Sequence, residues 1–263
     1  MRGEREMPPP KDYPLEERVD FGAQVRREAG LRYAVMTDIG KRKQNEDAYF
    51  AGRMSGHHLF AVADGVGGHA RGEIASRMAV EILAETAGRD LPGSEPAEML
   101  GRAFGRINAA IFAYNRDNTL NAGTTLSAAV VGESGRCWIG TVGDSRTYII
   151  TPTSSWHTRD QTYVQGLVES GVISPAEAMF HPRKNILTRA LGLSARVQVD
   201  LDVMELAGGV LLLSSDGLHD HVPESVIREI VLAGDPDTAC RRLIDAARDA
   251  ASTDNTTVIV ARA

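Results

Sequence analysis

Short, β-rich apolar runs set the strongest limit on how this chain can fold. They occupy residues 31–36, 59–63, 125–131, 137–142, 146–150, 197–204, 210–213 and 257–260, and runs of that length and composition read as strands. Helical periodicity interrupts them in two places early on. Ile74, Met78 and Ile82 recur at four-residue steps beside Ala75, Ala79 and Leu83, and Phe104, Ile107 and Ile111 form a second stripe. Two further helices are predicted over 224–232 and 238–250, the latter after an Asp-Pro-Asp start and with Leu243, Ile244 and Ala247 on one side. Strands that arrive consecutively, with helices in pairs, argue against a regular βαβ alternation. They predict an α+β fold, a central β-sandwich of two antiparallel sheets with helix pairs outside.

The chain has 263 residues, enough to bury a substantial core. Residues 1–30 mix charges of both signs with Pro8, Pro9 and Pro10 and carry no sustained apolar period, so a flexible tail is expected there, with a docking arm as its functional alternative. No internal repeat or low-complexity core breaks the remainder, and one domain is expected over 31–263. Lys and Arg number 29 against 35 Asp and Glu, for a net charge of −6. Without a basic block, neither nucleic acid nor a membrane surface is an expected partner. The N-terminus lacks an apolar signal region, and the aliphatic run 210–213 is far too short to cross a bilayer. Cys137 and Cys240 fit no metal or redox spacing and read as reduced, buried thiols of a cytoplasmic protein.

Three apolar strands end in an acid beside a small residue. AVADG places Asp64 there, TVGDS places Asp144 and LLLSSDG places Asp216, while Asp254 immediately precedes the strand TTVIV. Taken singly, each Asp-Gly is a turn signature. Taken together they are more, because packed sheets align their strand ends along a common rim. Converging aspartates repel one another unless a cation neutralises them, and oxygen ligands without cysteine or clustered histidine favour Mg²⁺ or Mn²⁺. Glycine after the acid, as at Gly65, lets a backbone carbonyl approach closely. The segment TDIGKRKQNEDAYF adds Lys41, Arg42 and Lys43 for an anion and Glu46 and Asp47 as further carboxylates; by itself it also reads as a solvated charged loop.

That segment, followed in order by AVADGVGGHARGEIAS, GTTLSAAVV, IGTVGDSR, LLLSSDGL and STDNTTVIV, resembles the metal-dependent protein phosphatases of type 2C in their compact bacterial form. The resemblance runs from about residue 31 to the end of the chain. The stretch 159–192, RDQTYVQGLVESGVISPAEAMFHPRKNILTRALG, is similar to the flap subdomain of the bacterial members. The resemblance implies their αββα sandwich, with the flap beside the active site.

It also implies roles for individual residues. Asp64 resembles the carboxylate that bridges two Mn or Mg ions, with the Gly65 carbonyl and Glu46 serving one ion and Asp216 and Asp254 completing the other. Asp144 resembles the ligand of a third, weaker ion, shared with Asp216 and assisted by Asn185. Arg42 stands where the family grips the substrate phosphate, a task that suits a guanidinium fork, and Asp47 stands where it orients or deprotonates a bridging water. The implied reaction is in-line attack on a phosphoserine or phosphothreonine of a protein, without a phosphoenzyme, reversing a Ser/Thr kinase. The implied partners are phosphorylated proteins, a cognate kinase among them, and a monomer is expected.

Val66 departs from the animal members, which carry histidine there. The proton donor to the leaving oxygen is therefore open between His69 and a water on the third metal. His219 and His221 form an HxH pair that reads as supporting the site rather than ligating metal. Thr124 and Thr125 read as the start of a buried strand, and Trp138 and Trp156 as packing. A catalytically silent phosphoprotein-binding relative and a hydrolase of small phosphate esters are the alternative functions.

Overall fold

The structure is a computed structural model that describes residues 24–28, 30–67 and 71–262. The chain begins with the antiparallel hairpin β1 (Gln24–Glu28) and β2 (Leu31–Asp38). Strands β3 (Asp47–Met54) and β4 (His57–Val66) follow, then the long helices α1 (Gly72–Asp90) and α2 (Pro96–Asn118). A run of strands comes next: β5 (Gly123–Thr124), β6 (Leu126–Val131), β7 (Arg136–Val142), β8 (Arg146–Ile150) and β9 (Ser155–His157). The stretch 159–192, called the flap below for its resemblance, carries α3 (Tyr163–Glu169) and α4 (Pro175–Ala178). The chain then closes with β10 (Asp200–Glu205), β11 (Val210–Ser214), α5 (Asp216–His219), α6 (Glu224–Ala233), α7 (Pro236–Asp249) and β12 (Thr256–Arg262).

One sheet runs β1-β2-β12-β11-β8-β9 and the other β10-β7-β6-β4-β3, with β5 added beside β4. Each of their strand pairings is antiparallel. Side chains of a strand alternate between faces, and here both faces are covered. Along β4, Phe60 and Val62 point into the sandwich, where they meet Ile139, Leu211, Leu213 and Ile259. Their neighbours Leu59, Ala61 and Ala63 point outward beneath Leu83, Phe104 and Ile107 of α1 and α2. Along β11, Leu211 and Leu213 face inward, whereas Val210 and Leu212 lie under Ile227, Val231, Leu243 and Ile244 of α6 and α7. This four-layer burial is why the strands read as continuous apolar runs rather than as apolar–polar alternation.

The structure departs from the sequence expectations at three places. The tail expected over 1–30 loses residues 24–28 to β1, which pairs with the edge strand β2 through backbone hydrogen bonds that composition does not signal; residues 1–23 lie outside the described residues. The charged segment at Glu46 and Asp47 leads directly into β3, whose Phe50 packs against the helices while Tyr49 and Ala51 pack into the sandwich. The strand expected from residue 197 starts at Asp200, because Arg189 and Gln161 hold the Asp200 carboxylate at the point where β7 pairing begins.

Phe60, fully buried between the sheets and edge-to-face on Tyr33 at 5.2 Å, locates the central core. Phe60→Ala is expected to lower the unfolding free energy in urea by about 3–5 kcal/mol. Val172→Ala, on the exposed flap, is expected to change it by no more than about 0.5 kcal/mol.

Candidate metal centre

The sheet register brings the acidic residues to one rim. Asp47 opens β3 directly opposite Asp64, near the end of β4. Arg146, the first residue of β8, pairs with Ser214, the last of β11, so Asp144 and Asp216 each lie two positions beyond that pair. Ser214 also pairs with Val258 of β12, which sets Asp254 beside the same exit. Thr256 faces Asp38 at the end of β2, and the loop carrying Arg42 and Glu46 starts there.

Hydrogen bonds from residues distant in sequence hold each carboxylate's backbone. Thr125 Oγ1 accepts the Asp64 N–H at 2.9 Å, and Thr124 Oγ1 donates to the Asp64 carbonyl at 2.9 Å. Both threonines are buried and serve the turn rather than chemistry, as expected. Asn255 Oδ1 accepts the Glu46 N–H at 2.8 Å, while Nδ2 donates to the carbonyls of Ile39 and Gln44. Its own N–H donates to Asp254 Oδ1 at 2.8 Å. One side chain thus ties the Arg42–Glu46 loop to the residue after Asp254. Gly65 donates its N–H to the Glu46 carbonyl, and a Cβ on it would lie 2.3 Å from the Gly72 carbonyl. Only glycine allows α1 to begin that close to the rim.

The side chains form a repelling field. Asp47, Asp64 and Asp216 keep limited solvent access and Asp144 is buried. Burial is the first cause that raises each of these carboxyls, taking Asp47 to about 6 and Asp144 to about 7. Asp64 and Asp216 rise well above the usual range, with Asp216 the next cause for Asp64 and Asp144 the next for Asp216. Glu46 is raised by burial and then by Glu73. Asp47 Oδ2 accepts from Ser215 Oγ at 2.8 Å, yet Asp47 Oδ1 and Asp216 Oδ1 are buried without a hydrogen-bond partner. Among the described residues, no group of three or more His, Cys, Asp or Glu side chains is already closed up around a volume that would hold an ion. The acids are within Coulombic reach of one another.

The donor set fits a hard divalent cation, being oxygen-only, net negative and equipped with two carboxylate oxygens that lack partners. Arg42 is half exposed and its Nη2 donates to Asp254 Oδ2 at 2.6 Å, so the guanidinium stands at the lip. Lys41 and Lys43 are exposed beside it. Asn185 is exposed on the flap, and no described hydrogen bond joins it to the acids; His69 lies outside the described residues. His219 is buried with Nδ1 on Ser214 Oγ at 3.0 Å, and burial, followed by Arg146, pushes its imidazole well below the usual range. It is held as a neutral ring. Trp138 and Trp156 pack at the margins of the cores, and both cysteines are buried with thiols raised to about 12.

Sequence reasoning passed over Thr125's role, Asn255, Ser215, Asp220 and Lys184. Asp220 is within Coulombic reach of Asp144 and Asp216 and accepts from Lys184 Nζ of the flap at 2.7 Å. The pairs Asp254-Asn255 and Ser215-Asp216 were the available signals, since polar residues flanking strand-end acids supply their hydrogen bonds.

The model of the protein phosphatase 2C family matches residues 37–233. Serine/threonine protein phosphatase PstP of Mycobacterium tuberculosis is 38% identical over 236 residues, covering 88% of this chain and 45% of that protein, so the chain spans about half the length of this relative. The crystal structure of the serine/threonine phosphatase Stp1 from Staphylococcus aureus superposes with a TM-score of 0.84 at 33% identity, covering 88% of this chain and 94% of that one. The PstP catalytic domain in complex with two manganese ions superposes with a TM-score of 0.77 at 36% identity, covering 88% and 97%. The order of the motifs, the four-layer sandwich and these likenesses agree, and the chain belongs to the protein phosphatase 2C family.

Proposed function

We propose that this chain is a metal-dependent phosphatase of phosphoserine and phosphothreonine in proteins. The observation that carries the reading is the set of crowded aspartates at one sandwich rim, two of them with an unpartnered buried oxygen. Asp64, the Gly65 carbonyl, Glu46, Asp216 and Asp254 would hold two Mn or Mg ions, and Asp144 with Asp216 a third, weaker one. Two manganese ions in the related PstP domain support the first two. When bound, such ions lower the pKa of water and offset charge on phosphoryl oxygens.

The chain's own residues supply the rest. Arg42, at the lip, exchanges its bond to Asp254 for a bidentate grip on two phosphoryl oxygens and so aligns phosphorus for in-line attack. Asp47, held by Ser215 through one oxygen, keeps the other for the proton of the attacking water. The bond from phosphorus to the serine or threonine oxygen breaks, and that oxygen takes its proton from His69 or from water. Phosphorylated proteins, including a cognate Ser/Thr kinase, are the substrates this reading implies, for a cytoplasmic monomer. Among the described residues no helix is long and apolar enough to cross a membrane.

Purified protein with Mn²⁺ is expected to dephosphorylate a phosphothreonine peptide, and Asp64→Asn and Asp216→Asn to abolish that turnover nearly completely while weakening Mn²⁺ binding in calorimetry. Wild-type turnover in either variant would remove that aspartate from the site. A protein that hydrolyses only small phosphate esters, or that binds phosphopeptides without turnover, would favour one of the two alternative functions. Arg42→Ala is expected to lower kcat/KM by about 10²–10³-fold.

Raised carboxyl pKa values also fix a sign. A group whose folded pKa exceeds its unfolded one stabilises most below the unfolded value and loses that contribution as pH rises through the folded one. For Asp47 and Asp144 the window runs from about 4 to about 7. The metal-free protein is therefore expected to melt at lower temperature at pH 8 than at pH 5.5, with Mn²⁺ reversing the difference at pH 8. Calorimetry with and without a chelator measures it.

A further inference from the structure

Gln161, at the root of the flap, is 2% exposed and uses every polar atom it has. Its backbone N–H donates to the Gly143 carbonyl at 2.9 Å, and its Oε1 accepts the Gly143 N–H at 2.9 Å. Its Nε2 donates to Asp200 Oδ2 at 2.8 Å and to the Thr141 carbonyl at 3.3 Å. Its own carbonyl accepts from Thr188 N at 2.7 Å and from Thr188 Oγ1 at 2.9 Å. One residue thus joins the outgoing leg of the flap, its returning leg and the turn that carries Asp144.

That turn, 143–146, is pinned around Asp144. Gly143 sits at φ +98, a region that favours glycine, and a Cβ on it would lie 2.6 Å from Thr125 Cγ2. Ser145 Oγ shares a hydrogen bond with Thr125 Oγ1 at 2.7 Å. The Arg146 guanidinium forks onto both oxygens of Asp160, the residue before Gln161, at 2.7 and 2.6 Å. The returning leg is fastened on the other side, where Leu191 and Thr124 exchange backbone hydrogen bonds and Thr124 Oγ1 reaches the Asp64 carbonyl. One leg of the flap therefore ends on the Asp144 turn and the other on the Asp64 turn.

We propose that Gln161 is a positioning residue that locks the Asp144 turn to both legs of the flap, so that cation binding at Asp144 and ordering of the flap root are a single coupled event. The inference rests on the reading of Asp144 as the ligand of the weakest-held ion. Loss of Oε1 and Nε2 would leave the Gly143 N–H without its acceptor and Asp200 Oδ2 without its donor, and would free the turn to rotate its carboxylate away from Asp216. Residues that support metal ligands in this way usually change metal affinity by about 10–100-fold when removed.

The test uses the whole chain and Mn²⁺ alone, with free Mn²⁺ counted by electron paramagnetic resonance. Gln161→Leu, neutral and of similar size, is expected to weaken the weakest-bound Mn²⁺ about tenfold and to leave the tighter ions unchanged. Glu169→Gln, which breaks the Arg159 ion pair within the flap, is expected to bind all ions as the wild type does. In the wild type, hydrogen exchange at the Gly143 and Thr188 amides is expected to slow together over the Mn²⁺ range that fills the weakest site. Should Gln161→Leu not fold, that exchange measurement decides. The inference is overturned if folded Gln161→Leu binds every ion normally, if it weakens all ions equally, or if the two amides do not respond together. Asp144→Asn separates the two claims. If it alone loses the weakest ion while Gln161→Leu does not, only the clamp falls; if it binds every ion normally, the ligand reading falls and takes the clamp with it.

Discussion

Burial of Asp47, Asp64, Asp144 and Asp216 at one rim, compounded by the repulsion of neighbouring acids, is the constraint on which the rest of this structure turns. Four carboxyls that are costly to ionise side by side have been placed at one end of a sandwich whose two faces are otherwise filled with aliphatic side chains. A fold can hold such a rim only if its backbone is fixed by something other than the carboxylates. The register of β3 on β4, and of β11 between β8 and β12, fixes the strand ends. Neutral side chains fix the turns.

Those neutral side chains share a pattern. Thr125, Asn255, Ser215 and Gln161 each bond backbone or carboxylate atoms on elements remote in sequence. None brings charge of its own, so each holds an acid in place without neutralising it. The cationic side chains stay at the margin, Arg42 on Asp254, Lys184 on Asp220 and Arg146 on Asp160. The centre is left negative, which is what a divalent cation requires of its host. Glycine does the complementary steric work where Gly65 meets Gly72 at the entry to α1.

Much of this was legible in the sequence. Apolar runs of strand length announced the sandwich, and acids at the ends of those runs announced the rim, because a strand covered on both faces is apolar throughout and its run stops where the strand stops. β1 and β3 were harder. β1 forms through backbone pairing at an edge, and β3 begins inside a segment whose charges mask the alternation of Phe50 with Tyr49 and Ala51. The supporting hydrogen bonds were not legible at all. Asn255 reaches Glu46 across 209 positions and Ser215 reaches Asp47 across 168, and no local pattern encodes a partner at that distance. Asn185, which the resemblance assigns to the third ion through its side chain or a water, is exposed on the flap.

If the crowded rim encloses divalent cations, their positions in the crystal will show it. Crystals grown with Mn²⁺ and measured at the manganese absorption edge would show them as anomalous difference peaks. Two strong peaks are expected with Asp64 between them, one beside Glu46 and the Gly65 carbonyl and the other beside Asp216 and Asp254, with a weaker third peak at Asp144. Peaks confined to surface carboxylates, with the rim empty at saturating Mn²⁺, would contradict that enclosure.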